Sequence, residues 1–287
     1  MAIIRNTAAM RLKGSVGNTT YYTQGGRQLA RVSQNSTNYG ESARRSPAQQ
    51  TRRVKWSNLV SFYKISENWI HGAFESKSVT QSDYNKFMSV NLPAARIALN
   101  KDEASVNACV LDEFIVSMGS LKSFDITRTT GLVHTGLTMR GHFEANMPVS
   151  DFSKWLIFYN PYLSYGMQIS LVVYEQIKDS FLFPKVLMGR YELTLDKDDA
   201  RQLDKVWDGF AFSLGTDGSL DITGVDDENY VTVILSDSTS GSLKVSTQRL
   251  VKGDDAMATQ YSTNARVKDA IDSYGVDQAR FLDSGDE

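Results

Sequence analysis

Cysteine is almost missing from this 287-residue chain, which holds only Cys109. No disulfide can close within it, and a cysteine-rich metal site is excluded. The lone thiol reads as buried and inert, in a protein made in a reducing cytoplasm. Long apolar runs are also absent: none reaches the roughly 18–20 residues that cross a bilayer, so no membrane partner is expected. The start, MAIIRNTAAMRLKG, is too short in apolar residues to read as a secretory signal. The common catalytic signatures are missing as well. There is no G-x-S-x-G elbow, no phosphate-binding G-x-x-x-x-G-K-[ST] and no H-E-x-x-H helix. Gly14-Ser15-Val16-Gly17 lacks the spacing of a dinucleotide loop and precedes a strand pattern.

The most informative scarcity is acid near the start. Residues 1–55 hold ten Lys or Arg and a single acid, Glu41, a charge of +9. Positions 56–287 hold 21 basic and 32 acidic residues, a charge of -11. The last twenty residues set Lys268 and Arg280 against five Asp and Glu287. A basic head on an acidic body implies a head that binds either nucleic acid or the acidic body of another copy.

Within that head, NTTYYTQGGRQLARVS at 18–33 predicts a β-hairpin. Thr19–Thr23 is rich in β-branched and aromatic residues, and Gly25-Gly26 suits a tight two-residue turn. A lone hairpin is marginal in water, so this one is expected to pair with something else. Ser46, Pro47 and Gln49 mark a capped helix start. Val54, Trp56, Leu59, Val60, Tyr63, Trp69 and Ile70 follow mostly at helical spacings, with Gly72 as the stop. A second helix is expected over Ser82–Val90, its Phe87 facing the first, and a short turn or helix at PAARIAL.

From about residue 111 short β-patterned runs alternate with turn residues. The expected strands lie in EFIVSMG, LKSFDITRT, HTGLTMRGHF, KWLIFYNP, MQISLVVYEQI, KVLMGRYELTL, GFAFSLG, YVTVILSD and LKVSTQRLV. DKDDARQLDKVW is expected to be helical. The fold class is therefore α+β. It comprises a basic arm with a hairpin (1–45), a small helical segment (46–108), an antiparallel β-sandwich or barrel (109–253) and a C-terminal extension with an acidic tail (254–287).

Side chains capable of chemistry are scattered. His71 falls at a helix end, and Gly136 and Gly141 separate His134 from His142, so surface histidines are expected rather than a metal pair. Asp217, Ser219 and Asp221 alternate like calcium-loop ligands, but the glycine and terminal acid are misplaced. Asp196, Asp198 and Asp199 read as a helix start or loop. No catalytic residue, metal site or cofactor is expected. The residues assigned to binding are those of the arm and the helix it enters: Tyr21, Tyr22, Arg27, Arg31, Arg44, Arg45, Arg52 and Arg53. The arginines suit phosphates or protein acids, and Tyr21, Tyr22 and Tyr39 offer aromatic faces. Arg52 and Arg53 oppose the helix dipole, which calls for acidic partners.

GSVGNTTYYTQGGRQLARV, SPAQQTRR, SDYNKFMSVNL and SMGSLKSFDI occur in that order. With Trp155–Pro161, read as a strand, they resemble a largely uncharacterised family from Bacteroidetes and their phages, over most of residues 1–165. The resemblance implies a virion structural protein of crAss-like tailed phages, assembled in the host cytoplasm and forming a ring in the portal or tail region. Implied partners are identical subunits and neighbouring portal, tail or ring proteins, with nucleic acid less favoured. A head decoration or head-fibre protein is the alternative, and a nucleic-acid-binding module a further one.

Overall fold

The α+β class expected from the sequence is the class of the computed structural model, which describes residues 2–3, 14–16, 19–24, 27–32, 47–75, 77–78, 81–207, 209–253 and 256–274. The strands are β1 (Ala2–Ile3), β2 (Gly14–Val16), β3 (Thr19–Gln24), β4 (Arg27–Val32), β5 (Ile115–Ser117), β6 (Thr127–Thr129), β7 (Leu132–Thr138), β8 (Gln168–Lys178), β9 (Pro184–Thr194), β10 (Ala211–Leu214), β11 (Ser219–Thr223), β12 (Tyr230–Asp237), β13 (Lys244–Val245) and β14 (Gln248–Arg249). The helices are α1 (Pro47–Ile70), α2 (Asp83–Asn91), α3 (Lys101–Ser105), α4 (Val149–Tyr159), α5 (Met257–Tyr261) and α6 (Asn264–Ser273). Two four-stranded antiparallel sheets, ordered β10-β11-β7-β6 and β13-β12-β8-β9, form the β-rich part, and neither closes into a barrel.

Alternate residues of β8 and β12 enter two different cores. Ile169, Leu171 and Val173 of β8, with Val231, Val233 and Leu235 of β12, face the other sheet. There they meet Val133, Leu137, Leu220 and Ile222, together with Phe152 and Leu156 of α4. Val172, Tyr174, Tyr230 and Ile234 face the opposite way, against Leu59, Phe62 and Ile70 of α1 and Phe87 of α2. The register explains the sorting, because Tyr174 stands opposite Tyr230 and Val173 opposite Val231. Burying each such side chain contributes about 1.5–3 kcal/mol. The helical stretch and the β stretch thus share one core.

α1 begins at Pro47, and its expected cap, Ser46, lies outside the described residues. Gly72, with φ +88°, follows its end. α2 lies where a helix was expected and is capped by Ser82, whose hydroxyl accepts from the Asn85 N–H at 3.2 Å. At the far end of the chain α6 returns to α1, packing Ala270 against Val54 and Ala98. The buried carboxylate of Glu103 holds that return: it pairs with Arg266 and accepts from Tyr261 Oη at 2.9 Å. Burial, then the Glu103 charge and hydrogen bond, push the Tyr261 phenol up to about 12.

Three local expectations are corrected. KWLIFYNP is not a strand, for Lys154–Tyr159 is the second half of α4. Its buried residues, Val149, Phe152, Ser153 and Leu156, have helical spacing that begins upstream of the run of β-forming residues. Asn160 then stops the helix, donating to the carbonyls of Leu156 and Thr138 at 2.8 Å each. DKDDARQLDKVW forms only a 3-10 turn at Leu203–Lys205. The carboxylates of Asp196 and Asp199 accept from backbone N–H groups two residues on, a local alternative to the helix. The carbonyls of Asp199 and Arg201 instead accept from Ser150 and Val149, capping α4. Finally, the acidic loop after Gly215 contains a strand, β11, whose Leu220 and Ile222 are buried.

The α1–β8 contact has a polar lock. Trp69 Nε1 donates to Tyr174 Oη at 3.0 Å, and Ser66 Oγ lies 2.7 Å from the same oxygen. Tyr174→Phe leaves the indole N–H buried without its acceptor, and should lower unfolding free energy by about 1–3 kcal/mol. The measurement is the urea midpoint at unchanged slope.

Candidate assembly surface

In the arm, Thr19 to Gln24 pair residue for residue with Val32 to Arg27, while Gly25 and Gly26, expected to form the tight turn, lie outside the described residues. The hairpin has partners on both sides: β2 pairs with β3 through Gly14–Tyr21, and β1 with β4 through Ala2–Ala30. The sheet order is β1-β4-β3-β2. Residues directly opposite share a face. Tyr22 therefore sits with Leu29 and, one step along, with the Thr20–Arg31 pair, while Tyr21 and Ala30 belong to the other face. Leu29 is buried, and the Arg31 guanidinium lies 5.7 Å from the Tyr22 ring centre, a cation–π contact. Arg27 holds a position of the same parity as Leu29 and Arg31. Tyr21 and Tyr22 are half-buried and Arg31 is exposed.

The remaining expected residues separate from this group. Arg44 and Arg45, like Tyr39, lie outside the described residues. Arg52 and Arg53 are exposed on α1. The neighbour observed for Arg53 is aromatic, the Tyr274 ring, whose centre is 4.5 Å from the guanidinium carbon. The structure thus brings Tyr22 and Arg31 together and directs Arg53 to the C-terminal end of α6.

The body supplies the opposite sign. Arg96 grips Asp112 at 2.6 Å and Lys77 grips Asp83 at 2.6 Å, so several of its cations are engaged internally. Glu67, Asp102, Glu144, Asp151 and Glu175 are exposed and form no ion pair among the described residues.

The histidines stand apart from one another. His71 is 3.4 Å from Asp83, and His142 stacks on Trp155 at 3.9 Å. His134 Nδ1 is 2.9 Å from Asp221 Oδ1, and its Nε2 is 3.0 Å from Thr129 Oγ1. An ionised carboxylate only accepts, so Nδ1 is the donor towards Asp221, and a neutral imidazole would then accept at Nε2 from the threonine. That is the order of a nucleophile–base–carboxylate relay. The sheet alone accounts for it, since Asp221 stands opposite His134 and His134 opposite Thr127, two residues from Thr129. It joins β6, β7 and β11 across one face. No group of three or more His, Cys, Asp or Glu among the described residues is arranged to hold a metal. No described helix is long and apolar enough to cross a membrane.

Comparison of the chain with protein-family models, curated proteins and solved structures finds no match.

Cys109 is fully buried, and burial pushes its thiol well above the ordinary range, with Lys185 opposing weakly. A raised thiol pKa keeps sulfur protonated and unreactive. Iodoacetamide at about pH 8, where an ordinary thiol ionises, should leave the native protein unlabelled and modify one site after unfolding. Native labelling on a scale of minutes would contradict this reading.

Proposed function

We propose that this chain is a non-enzymatic structural component of a tailed-phage virion. It assembles as a ring of identical subunits in the portal or tail region, beside other portal, tail or ring proteins. The observation that carries the reading is the division of charge, +9 over residues 1–55 against -11 over the remainder. The basic part builds its own four-stranded sheet, with Tyr22 and Arg31 in contact. Ring interfaces are heterologous, one surface meeting a different surface on the next copy, and opposite charges on head and body meet that requirement. The resemblance of motifs over most of residues 1–165 to a phage-associated family supports the same role.

Removing the arm is a fair test of assembly, because among the described residues none of the four core clusters contains one before Val54. A chain of residues 46–287 should keep its circular dichroism and cooperative unfolding, yet sediment as a monomer where the full chain forms oligomers. Arg27→Glu with Arg31→Glu in the full chain should have the same effect. Rings formed equally well by the truncated chain overturn the proposal. Salt-sensitive DNA binding lost on those substitutions, with oligomers unchanged, would assign the arm to nucleic acid instead.

A further inference from the structure

Tyr274, just past the end of α6, stands beside the first turns of the longest helix. α6 packs Ala270 against Val54 of α1, with Val267, Ile271 and Tyr274 around the contact. The Tyr274 ring lies against Arg53, its centre 4.5 Å from the guanidinium carbon. Residues 275–287 therefore leave the core at the N-terminal part of α1.

The α1 surface at that point combines free positive charge with an aromatic ring. Arg52 and Arg53 are exposed, and neither forms an ion pair among the described residues. Trp56 is 40% exposed. Residues three and four apart are neighbours on a helix, so the indole adjoins both arginines. No acid occupies the first turn of α1, where the helix dipole adds to the positive charge. Lys101 also approaches, its backbone N–H donating to Ser273 Oγ at 2.9 Å, but the adjacent Asp102 offsets it. A single exposed indole is ordinary. What singles this one out is the segment that departs beside it.

Residues 275–287, GVDQARFLDSGDE, match the surface in both respects. Asp277, Asp283, Asp286 and Glu287 against Arg280 give a charge of -3, and the apolar pair Phe281-Leu282 lies among them. The segment also reaches. Seven residues carry the chain from Tyr274 to Phe281, up to about 23 Å when extended. Trp56 is only about 4.5 Å farther along α1 than Arg53, which Tyr274 already touches. The covalent link keeps the segment near this face at an effective concentration on the order of millimolar. A separate copy at micromolar concentration competes poorly with that.

We propose that residues 275–287 dock on the α1 face of their own chain, with Phe281 and Leu282 against Trp56 and Asp283 beside Arg52 and Arg53. The contact lies within one molecule and does not depend on the ring reading. It withdraws Arg52 and Arg53 from phosphates and from the acids of other molecules. The segment is thus a built-in acidic competitor at the base of the basic arm.

The test uses the full chain at low salt. Chymotrypsin cleavage after Phe281, followed by mass spectrometry, reads how often the segment is free. Arg52→Glu and, separately, Trp56→Ser should each speed that cleavage about fivefold or more. Arg53 is left in place because it also contacts Tyr274. Thermal unfolding of Arg52→Glu should be unchanged, since the side chain is exposed. Asp283→Lys should speed cleavage as well, and adding Arg52→Glu to it should slow cleavage again, a reversal that a folding defect does not produce. The wild-type rate should not vary with protein concentration. Wild-type rates in Arg52→Glu and Trp56→Ser, or no reversal in the paired variant, overturn the contact and leave the ring reading untouched. Protection that falls on dilution assigns the face to the segment of a second copy and overturns the proposal too.

Discussion

β8 and β12 have no wet face along their shared length, and the rest of the molecule follows from that. A sheet of an antiparallel sandwich ordinarily buries one side and hydrates the other. Here both faces of Gln168–Tyr174 and Tyr230–Leu235 are almost wholly buried, one under the second sheet and α4, the other under α1 and α2. Without the helical layer, Val172, Tyr174, Tyr230 and Ile234 would be stripped to water. α1 is accordingly long, and it is fixed at both ends. Near its C-terminus Trp69 and Ser66 hold Tyr174 Oη, and near its N-terminus α6 packs Ala270 on Val54. Asn58, between them, exchanges hydrogen bonds of 2.8 Å with the backbone of Val110.

Elements with local signals were legible in the sequence, and those specified by neighbours were not. The β-forming residues on either side of the arm's turn marked the hairpin strands, and the span Ser82–Val90 marked α2, because these signals act within a few residues. β8, β9 and β12 were visible as dense β-forming runs, but density alone does not say that both faces are covered. α4 was misread because Trp155, Leu156, Ile157, Phe158 and Tyr159 have strong strand preference, while the period that decides the matter starts at Val149. β11 was hidden by the charge of Asp217 and Asp221. Asp221 is nevertheless buried, where His134 and Ser219 satisfy its carboxylate. Among the assembly residues, charge division exposed the arm to simple counting. The Arg53–Tyr274 contact has no comparable signal, because it exists only once α6 has packed on α1.

Charge and apolar contact divide the work of association differently. Opposite charges act over about 8–10 Å at physiological salt and set the rate and orientation of encounter. They contribute little net affinity once ions must be desolvated. Apolar side chains act only on contact, but their burial carries a larger share of the binding energy. In the proposed ring, the +9 head and -11 remainder supply the first component.

The arm sheet has the same incompleteness at its own scale. Its outer strands are two and three residues long, and Leu29 is its one buried apolar side chain among the described residues. In the proposed ring, the acidic surface of a neighbouring copy is the favourable cover for the arginines of this sheet. On the proposed ring reading, ordering and association of the arm are one event, completed where a neighbour is present.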